Sequence, residues 1–302
     1  MISEISKALL TLQQVKGVGT KTILKVLCEV QNLLGLPEAI KNTSIRKTLI
    51  QKTVDDWTES TKKADQTIEY CTDNHIEIIS IKDSTYPDSL RTIPDPPIII
   101  YCIGNTEILK SKGVAIIGTR NSTEIGNKVA QKIAKTFCEN NYNIVSGLAE
   151  GIDTQAHLAS LRENTPTVAV LASLGTIFPP SNIELSKKIV QNGGLLLAEH
   201  SPLKSIHKTD FVTRDRLQAA LSDAVIPIEG GVKSGTRHAV EAAFKYGKKV
   251  IIPDIDKLIE KGYYKGSENN LGLLKDLAEN PTVAKYSDEN VSQIIEDLNN
   301  QS

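Results

Sequence analysis

The chain has 302 residues, of which 40% are hydrophobic and 24% charged, and a formal net charge of -1. That length allows one large domain or a large and a small one. The near-neutral balance excludes a protein that holds nucleic acid by bulk positive charge, so any nucleic-acid face has to be local. In chain order, residues 1–75 are polar and helical in pattern, with apolar positions at mixed three- and four-residue steps. Residues 1–10 carry Glu4 and Lys7 and lack the apolar core of a signal peptide. No apolar run approaches the roughly 20 residues that span a bilayer, so a cytoplasmic protein with no membrane partner is expected. Ile76–Ile81 and Ile98–Tyr101 read as strands, separated by the turn signals Tyr86-Pro87 and Pro94–Pro97.

From Val114 an alternation begins. Apolar runs at Val114–Gly118, Asn143–Gly147, Thr167–Leu171, Gly194–Glu199, Ala224–Glu229 and Lys249–Pro253 read as strands. Between them, Ile125–Phe137, Ile152–Leu161, Asn182–Gln191, Phe211–Leu221 and Thr236–Tyr246 read as helices. Strands apolar on both faces and separated by three-turn helices predict an α/β fold, a Rossmann-like, doubly wound, mostly parallel sheet preceded by a small all-helical domain. Such folds bind ligands at the carboxyl ends of their strands. Asn270 to Ser302 reads as two short helices joined through Pro281.

Six segments carry chemistry. Val15-Lys16-Gly17-Val18-Gly19 lies between the apolar segments Leu9–Leu12 and Ile23–Leu27 and reads as a helix-hairpin-helix-like turn whose amides at Gly17 and Gly19 can face a phosphate. A plain helix cap followed by a second helix explains the same glycines, and contact with DNA stays open. Gly118-Thr119-Arg120-Asn121-Ser122 joins a strand to a helix; Gly118 allows the sharp turn, the helix start offers amides, and Arg120 adds a forked phosphate donor, with Ser122 beside it. The next glycine is Gly126, so the dinucleotide fingerprint is absent and no nicotinamide cofactor is implied. Ser146-Gly147 repeats the device before the helix at Ile152; Asp153 is placed as a capping or first-turn carboxylate, and His157 as a packing residue. Gly230-Gly231-Val232-Lys233-Ser234-Gly235-Thr236-Arg237 forms the third glycine-rich loop, bringing Gly231, Lys233, Ser234, Gly235, Thr236 and Arg237 together without Walker A spacing. Arg214 and Arg216 open a basic helix start; two positions apart, one is expected to face the groove and the other to pair with Asp215. Phe178 is a loop aromatic suited to stacking on a base, or equally to loop packing. Cys28, Cys71, Cys102 and Cys138 are scattered, which argues for free thiols and against a disulfide framework. No catalytic nucleophile, metal set or cofactor motif is evident.

Tyr86-Pro87 with Leu90, Asp95-Pro96-Pro97, Val114–Arg120, Val145–Asp153 with Ala156-His157, Phe178–Asn182, Gly193–Glu199, Phe211 with Arg214-Asp215-Arg216, Leu221–Val225 and Ser234-Gly235-Thr236 follow one another between about residues 76 and 295. In that order they resemble the DNA-processing protein A (DprA/Smf) family. The resemblance implies a Rossmann-like domain at 76–285, between a helical domain at 1–75 and a helical tail at 286–302. It implies a non-enzymatic protein that binds single-stranded DNA, protects incoming DNA and assists loading of a RecA-type recombinase in transformation and recombination. It also implies a homodimer, and it puts the DNA backbone on Gly118, Thr119, Arg120, Ser146, Gly147, Ser234, Gly235 and Thr236. The chain departs from the family pattern at Arg214-Asp215-Arg216, where Arg-Asn-Arg is usual, and at Leu217-Gln218-Ala219-Ala220, where Ile-Ile-Ala-Gly is usual. Gly266-Ser267-Glu268-Asn269 replaces a Gly-Ser-Asn anchor, and the family's winged-helix segment is expected to be lacking. These departures fit a divergent paralogue acting in toxin–antitoxin or phage defence as a sensor of nucleic acid or a nucleotide. A nucleotide phosphoribohydrolase would need Pro-Gly-Gly-x-Gly-Thr-x-x-Glu; here the proline is missing, and Glu241 falls five residues after Thr236.

Overall fold

A computed structural model describes residues 2–300 of the chain. Met1, and Gln301 and Ser302 at the end of the expected C-terminal tail, lie outside the described residues. The chain folds as two compact units. The first contains α1 (Glu4–Gln14), α2 (Thr20–Glu29), α3 (Lys47–Asp73), the strands β1 (Glu77–Ser80) and β2 (Ile99–Gly104), and between the strands the single turn α4 (Asp88–Arg91). The Ser3 hydroxyl starts α1 by accepting the Ser6 N–H at 3.1 Å. Between α1 and α2, Val15 and Val18 are buried while Gly17 takes φ +90°, a backbone region open to glycine at no steric cost. The two helices expected on either side of the glycine turn therefore form. The long α3 buries Thr53, Ser60, Ala64, Thr67 and Cys71, a stripe at three-, four- and seven-residue steps. The first unit is not purely helical: the expected strands pair antiparallel as β1 and β2, with Ile79 opposite Ile100.

The second unit contains β3 (Gly113–Ile117), α5 (Glu124–Glu139), β4 (Asn143–Ser146), α6 (Ile152–Arg162), β5 (Thr167–Leu171), α7 (Ile183–Gln191), β6 (Leu195–Ala198), α8 (Lys208–Ala220), β7 (Ala224–Pro227), α9 (Thr236–Lys245) and β8 (Lys249–Pro253). It continues with α10 (Ile255–Glu260), α11 (Gly272–Ala278), β9 (Ala284–Tyr286) and α12 (Val291–Asn299). Its strands lie in the order β6-β5-β4-β3-β7-β8-β9, and β3 pairs parallel with both β4 and β7. Every residue of β3 and β5 is buried, as strands covered on both faces require. On one face, Val114, Ile116, Ile144 and Ile226 pack with Ile133 and Phe137 of α5, Ala156 of α6 and Leu298 of α12. Helices α8 and α9 pack together and against β5 and β7. The chain winds one way from β3 to β6 and then restarts on the other side with β7. The sheet is thus Rossmann-like, and its topological switch point lies between β3 and β7.

One expectation needs correction. The region after Asn270 is not two helices alone, because β9 lies between α11 and α12 and pairs parallel with β8, Ile252 opposite Lys285. Three residues that bury only Tyr286 carry too little pattern to be read as a strand. Among the described residues no helix is long and apolar enough to cross a membrane. The four cysteines are free thiols, Cys28 exposed and the others buried.

Candidate nucleic-acid interface

The loops after β3, β4 and β7 meet at the switch point around a cleft of about 360 Å³. Gly118, Thr119 and Arg120 line it from the first loop, Ala149 and Asp153 from the second, Ser234, Gly235 and Thr236 from the third, and Arg214, Asp215 and Gln218 of α8 form another side. Close packing sets this geometry. A side chain at Gly151 (φ +78°) would come within 2.6 Å of the Arg120 carbonyl oxygen, so the first two loops can approach only if this residue is glycine. Gly147 is crowded in the same way: a Cβ there would lie 2.5 Å from an Arg214 guanidinium nitrogen and 2.7 Å from Asp153 Oδ2.

The first and third loops share a fastener. Glu229 is fully buried, and its carboxylate accepts from the Thr123 N–H at 3.0 Å, from the Thr123 hydroxyl and from Asn270 Nδ2 at 3.1 Å. Its backbone carbonyl accepts the Thr119 N–H at 2.9 Å. Asn270 Nδ2 also donates to the Asn121 carbonyl at 3.2 Å, and the Asn270 carbonyl accepts the Gly230 N–H at 2.7 Å. The stretch that lacks a Gly-Ser-Asn sequence therefore still anchors both loops, through Asn270. Thr123, by accepting the Gly126 N–H at 2.9 Å, caps α5 just behind the first loop.

Arg214 is buried at the base of the cleft. Its guanidinium donates to the Gly147 carbonyl at 2.6 Å, to the Val170 carbonyl and to Asp215 Oδ1 at 3.0 Å. Asp153 is also buried, in the first turn of α6, and accepts from the Gly147 and Ala149 amides at 3.1 and 3.3 Å. Burial pushes its carboxyl up to about 6, against the pull of Arg214. Burial raises the Asp215 carboxyl as well, again opposed by Arg214. His157 is buried with Nδ1 2.8 Å from the Thr167 hydroxyl; burial first and Arg214 second lower it to about 3, so it is a neutral packing residue at physiological pH.

The predicted residues divide by direction. Gly118, Thr119, Arg120, Ser234, Gly235 and Thr236 reach the cleft. Gly147 lines a second cavity of about 220 Å³ with Arg120, Phe178 and Phe211. Ser146 does not reach the rim: it is fully buried, and its hydroxyl donates to the Ile116 carbonyl at 2.6 Å. The Ser122 hydroxyl is turned to Asn127 at 2.6 Å. Arg237 faces away, donating to the Val232 carbonyl and to Asp276 of α11, both at 2.7 Å. Gly231, Lys233 and Arg216 are not among the lining residues, with Lys233 exposed and Arg216 half-buried. In α8, Arg214 pairs with Asp215. Gly17 and Gly19 are exposed in the first unit. Phe178 both packs and remains available: its ring lies edge-on to Phe211 at 5.4 Å, and it is 44% exposed. Arg120 sits over the Phe211 ring at 5.8 Å. Sequence reasoning passed over Phe211, Gln218 and Asn270 as site residues. A signal was present for Phe211, which lies one helical turn before Asp215 on the same side as Arg214. Among the described residues no three His, Cys, Asp or Glu side chains come together as a metal site.

Over 177 residues the chain is 35% identical to the DNA processing protein DprA of Bacillus subtilis, covering 58% of this chain and 59% of that one. The match spans about half the length of the curated relatives, between 45% and 60% for three of them. The X-ray structure of DNA processing protein A from Streptococcus pneumoniae superposes with a TM-score of 0.77 at 26% identity, over 97% of this chain and 98% of that one. DNA processing protein A of Helicobacter pylori, whose structure concerns its single-stranded DNA binding mode, superposes with a TM-score of 0.58 at 28% identity, over 75% and 98%. Residues 77–292 match the family model for DNA recombination-mediator protein A, and the chain belongs to that family.

Proposed function

We propose that this chain binds single-stranded DNA at the three-loop rim, holding the backbone with Arg120 and the loop amides and stacking bases on Phe178. The convergence of the three loops with an exposed arginine and an exposed aromatic at one switch point carries this reading. Phosphate contact by Arg120 and base stacking by Phe178 together give sequence-tolerant binding to a flexible strand. On this reading the protein catalyses no reaction. It works in the cytoplasm as a homodimer, protects incoming DNA, and assists loading of a RecA-type recombinase in DNA uptake and recombination. The relation to a Helicobacter pylori protein with a single-stranded DNA binding mode supports the reading.

A second reading, a sensor of a small nucleotide, is favoured by one observation. The 360 Å³ cleft is bounded and of the size that small-molecule sites have, roughly 300–1,000 Å³. Competition separates the two. A mononucleotide that displaces a bound oligonucleotide at micromolar concentration supports the sensor.

The direct test is fluorescence anisotropy of a labelled mixed-sequence oligonucleotide at two salt concentrations, with wild type and Arg120→Ala. Affinity is expected to fall with salt. Loss of one charge-assisted bond of about 1.5–3 kcal/mol in Arg120→Ala weakens binding about ten- to a hundredfold. No binding at low salt sinks the reading.

A further inference from the structure

The cleft is polarised. Arg120 stands exposed at its edge, whereas Asp153, Asp215 and Gln218 bring acceptors to its wall. Arg214 shares that wall, but its guanidinium is held by the protein itself, donating to Gly147, Val170 and Asp215. Two carboxylates, Asp153 and Asp215, line the same space.

Asp215 and Gln218, one turn apart on α8, form a unit. Gln218 Nε2 donates to Asp215 Oδ1 at 3.0 Å, the oxygen that also accepts from Arg214 Nε. The carboxylate fixes the amide, since only its NH2 end can face an acceptor. Gln218 Oε1 is then left with no hydrogen-bond partner, in a side chain 3% exposed that lines the cleft. A buried carbonyl oxygen without a donor is costly, and a ligand that brings an N–H relieves it.

We infer that the Asp215–Gln218 pair selects the base that enters the cleft, favouring a nucleotide whose base carries an exocyclic amine, such as cytosine or adenine, over thymine, which has none. This rests on the single-strand binding reading and adds a preference to it. The N4 amine of cytosine and the N6 amine of adenine are donors, and a carboxylate accepting from cytosine N4 is a known pairing in base recognition. Thymine offers only one ring N–H, set between its O4 and O2 acceptors, so it cannot donate to Asp215 and Gln218 together as an NH2 with two hydrogens can. A cleft of about 360 Å³ admits one such unit while the phosphates stay with Arg120 at its edge.

The test is anisotropy at pH 7.5 with three labelled oligonucleotides of equal length: dC, dT, and a dC strand whose bases are N4,N4-dimethylcytosine, which has no exocyclic N–H. Wild type is expected to bind dC about tenfold more tightly than dT, and the dimethylated strand no better than dT. The double variant Asp215→Asn/Gln218→Leu, checked by thermal melting, is expected to bind dC and dT within about twofold of each other. Equal wild-type affinities for dC and dT with salt-dependent binding intact overturn the preference and leave the binding reading standing. A dimethylated strand that binds as tightly as dC also overturns it, as does a folded double variant that keeps the full ratio. Failure of all three strands to bind at low salt overturns both readings together.

Discussion

Two regions of the molecule use the same local device with different surroundings. In the first unit, the turn at Gly17 to Gly19 joins two helices and leaves Lys16 and Lys21 exposed at a helix start. In the second, the loop at Gly118 also leads into a helix start, but there two further loops, a buried arginine, the carboxylates of Asp153 and Asp215 and an aromatic pair converge on it. A glycine turn before a helix supplies amides and a dipole in both places. Only the second adds groups from distant parts of the chain that fix a ligand's position. The difference teaches that convergence from separate elements, more than a motif by itself, distinguishes a binding site from a fold-making turn.

That contrast can be broken or sharpened by experiment. The largest effect is expected from Arg214→Met. It strips the buried carboxylates of their cation and the Gly147 and Val170 carbonyls of their donor, which destabilises the fold by about 3–5 kcal/mol, read by urea unfolding. A loss under 1 kcal/mol would show that the base of the cleft is not held by Arg214. Next, Phe178→Ala is expected to weaken oligonucleotide binding by about 1–3 kcal/mol with no change in the salt slope, the mark of lost stacking. An unchanged Kd would return Phe178 to loop packing.

A subtler effect lies in the pH dependence of melting. The folded value of Asp153, about 6, lies above its ordinary 3.8. Its share of stability is therefore present below pH 3.8 and lost as pH rises through 6. The folded value of His157, about 3, lies below its ordinary 6.5, so its share is present above pH 6.5 and lost as pH falls toward 3. Between pH 4 and 6 the two slopes oppose each other. Asp153→Asn removes one of them, so the Tm of the variant is expected to fall more steeply than that of wild type between pH 6.5 and 4.5, by about 2–4 °C for each kcal/mol uncovered. Parallel profiles would show that Asp153 ionises as it does in the unfolded chain. The smallest effect is expected in the first unit. Lys16→Ala/Lys21→Ala should leave the slope of log Kd against log salt unchanged, whereas a drop of about 1 per lysine would show that the hairpin holds phosphates too.

Much of this was legible in the sequence, and the exceptions have physical reasons. Fully apolar strands ending in glycine marked Val114–Gly118 and Ser146-Gly147, and so located the sheet, its loops and most of the cleft. Side-chain direction was not legible. Ser146 and Arg237 lie in the right loops but point elsewhere, because Ile116 and Asp276 offer partners that only the folded chain brings near. Glu229 read only as the last residue of a strand, whereas it is a buried fastener, since the N-terminus of α5 and Asn270 surround it with donors. The departures at Asp215 and Gln218 were visible as isolated changes. Their contact was not, although three residues on a helix put them on one side.

The shared carboxylate of Glu229 also has a kinetic meaning. One side chain grips Thr123 behind the first loop and Asn270 behind the third, so neither loop can swing away without releasing the other. The rim should therefore breathe as a single cooperative segment. In native-state hydrogen exchange, the amides of Thr119, Thr123 and Gly230 would share one opening free energy, and Glu229→Gln would lower it for all three at once.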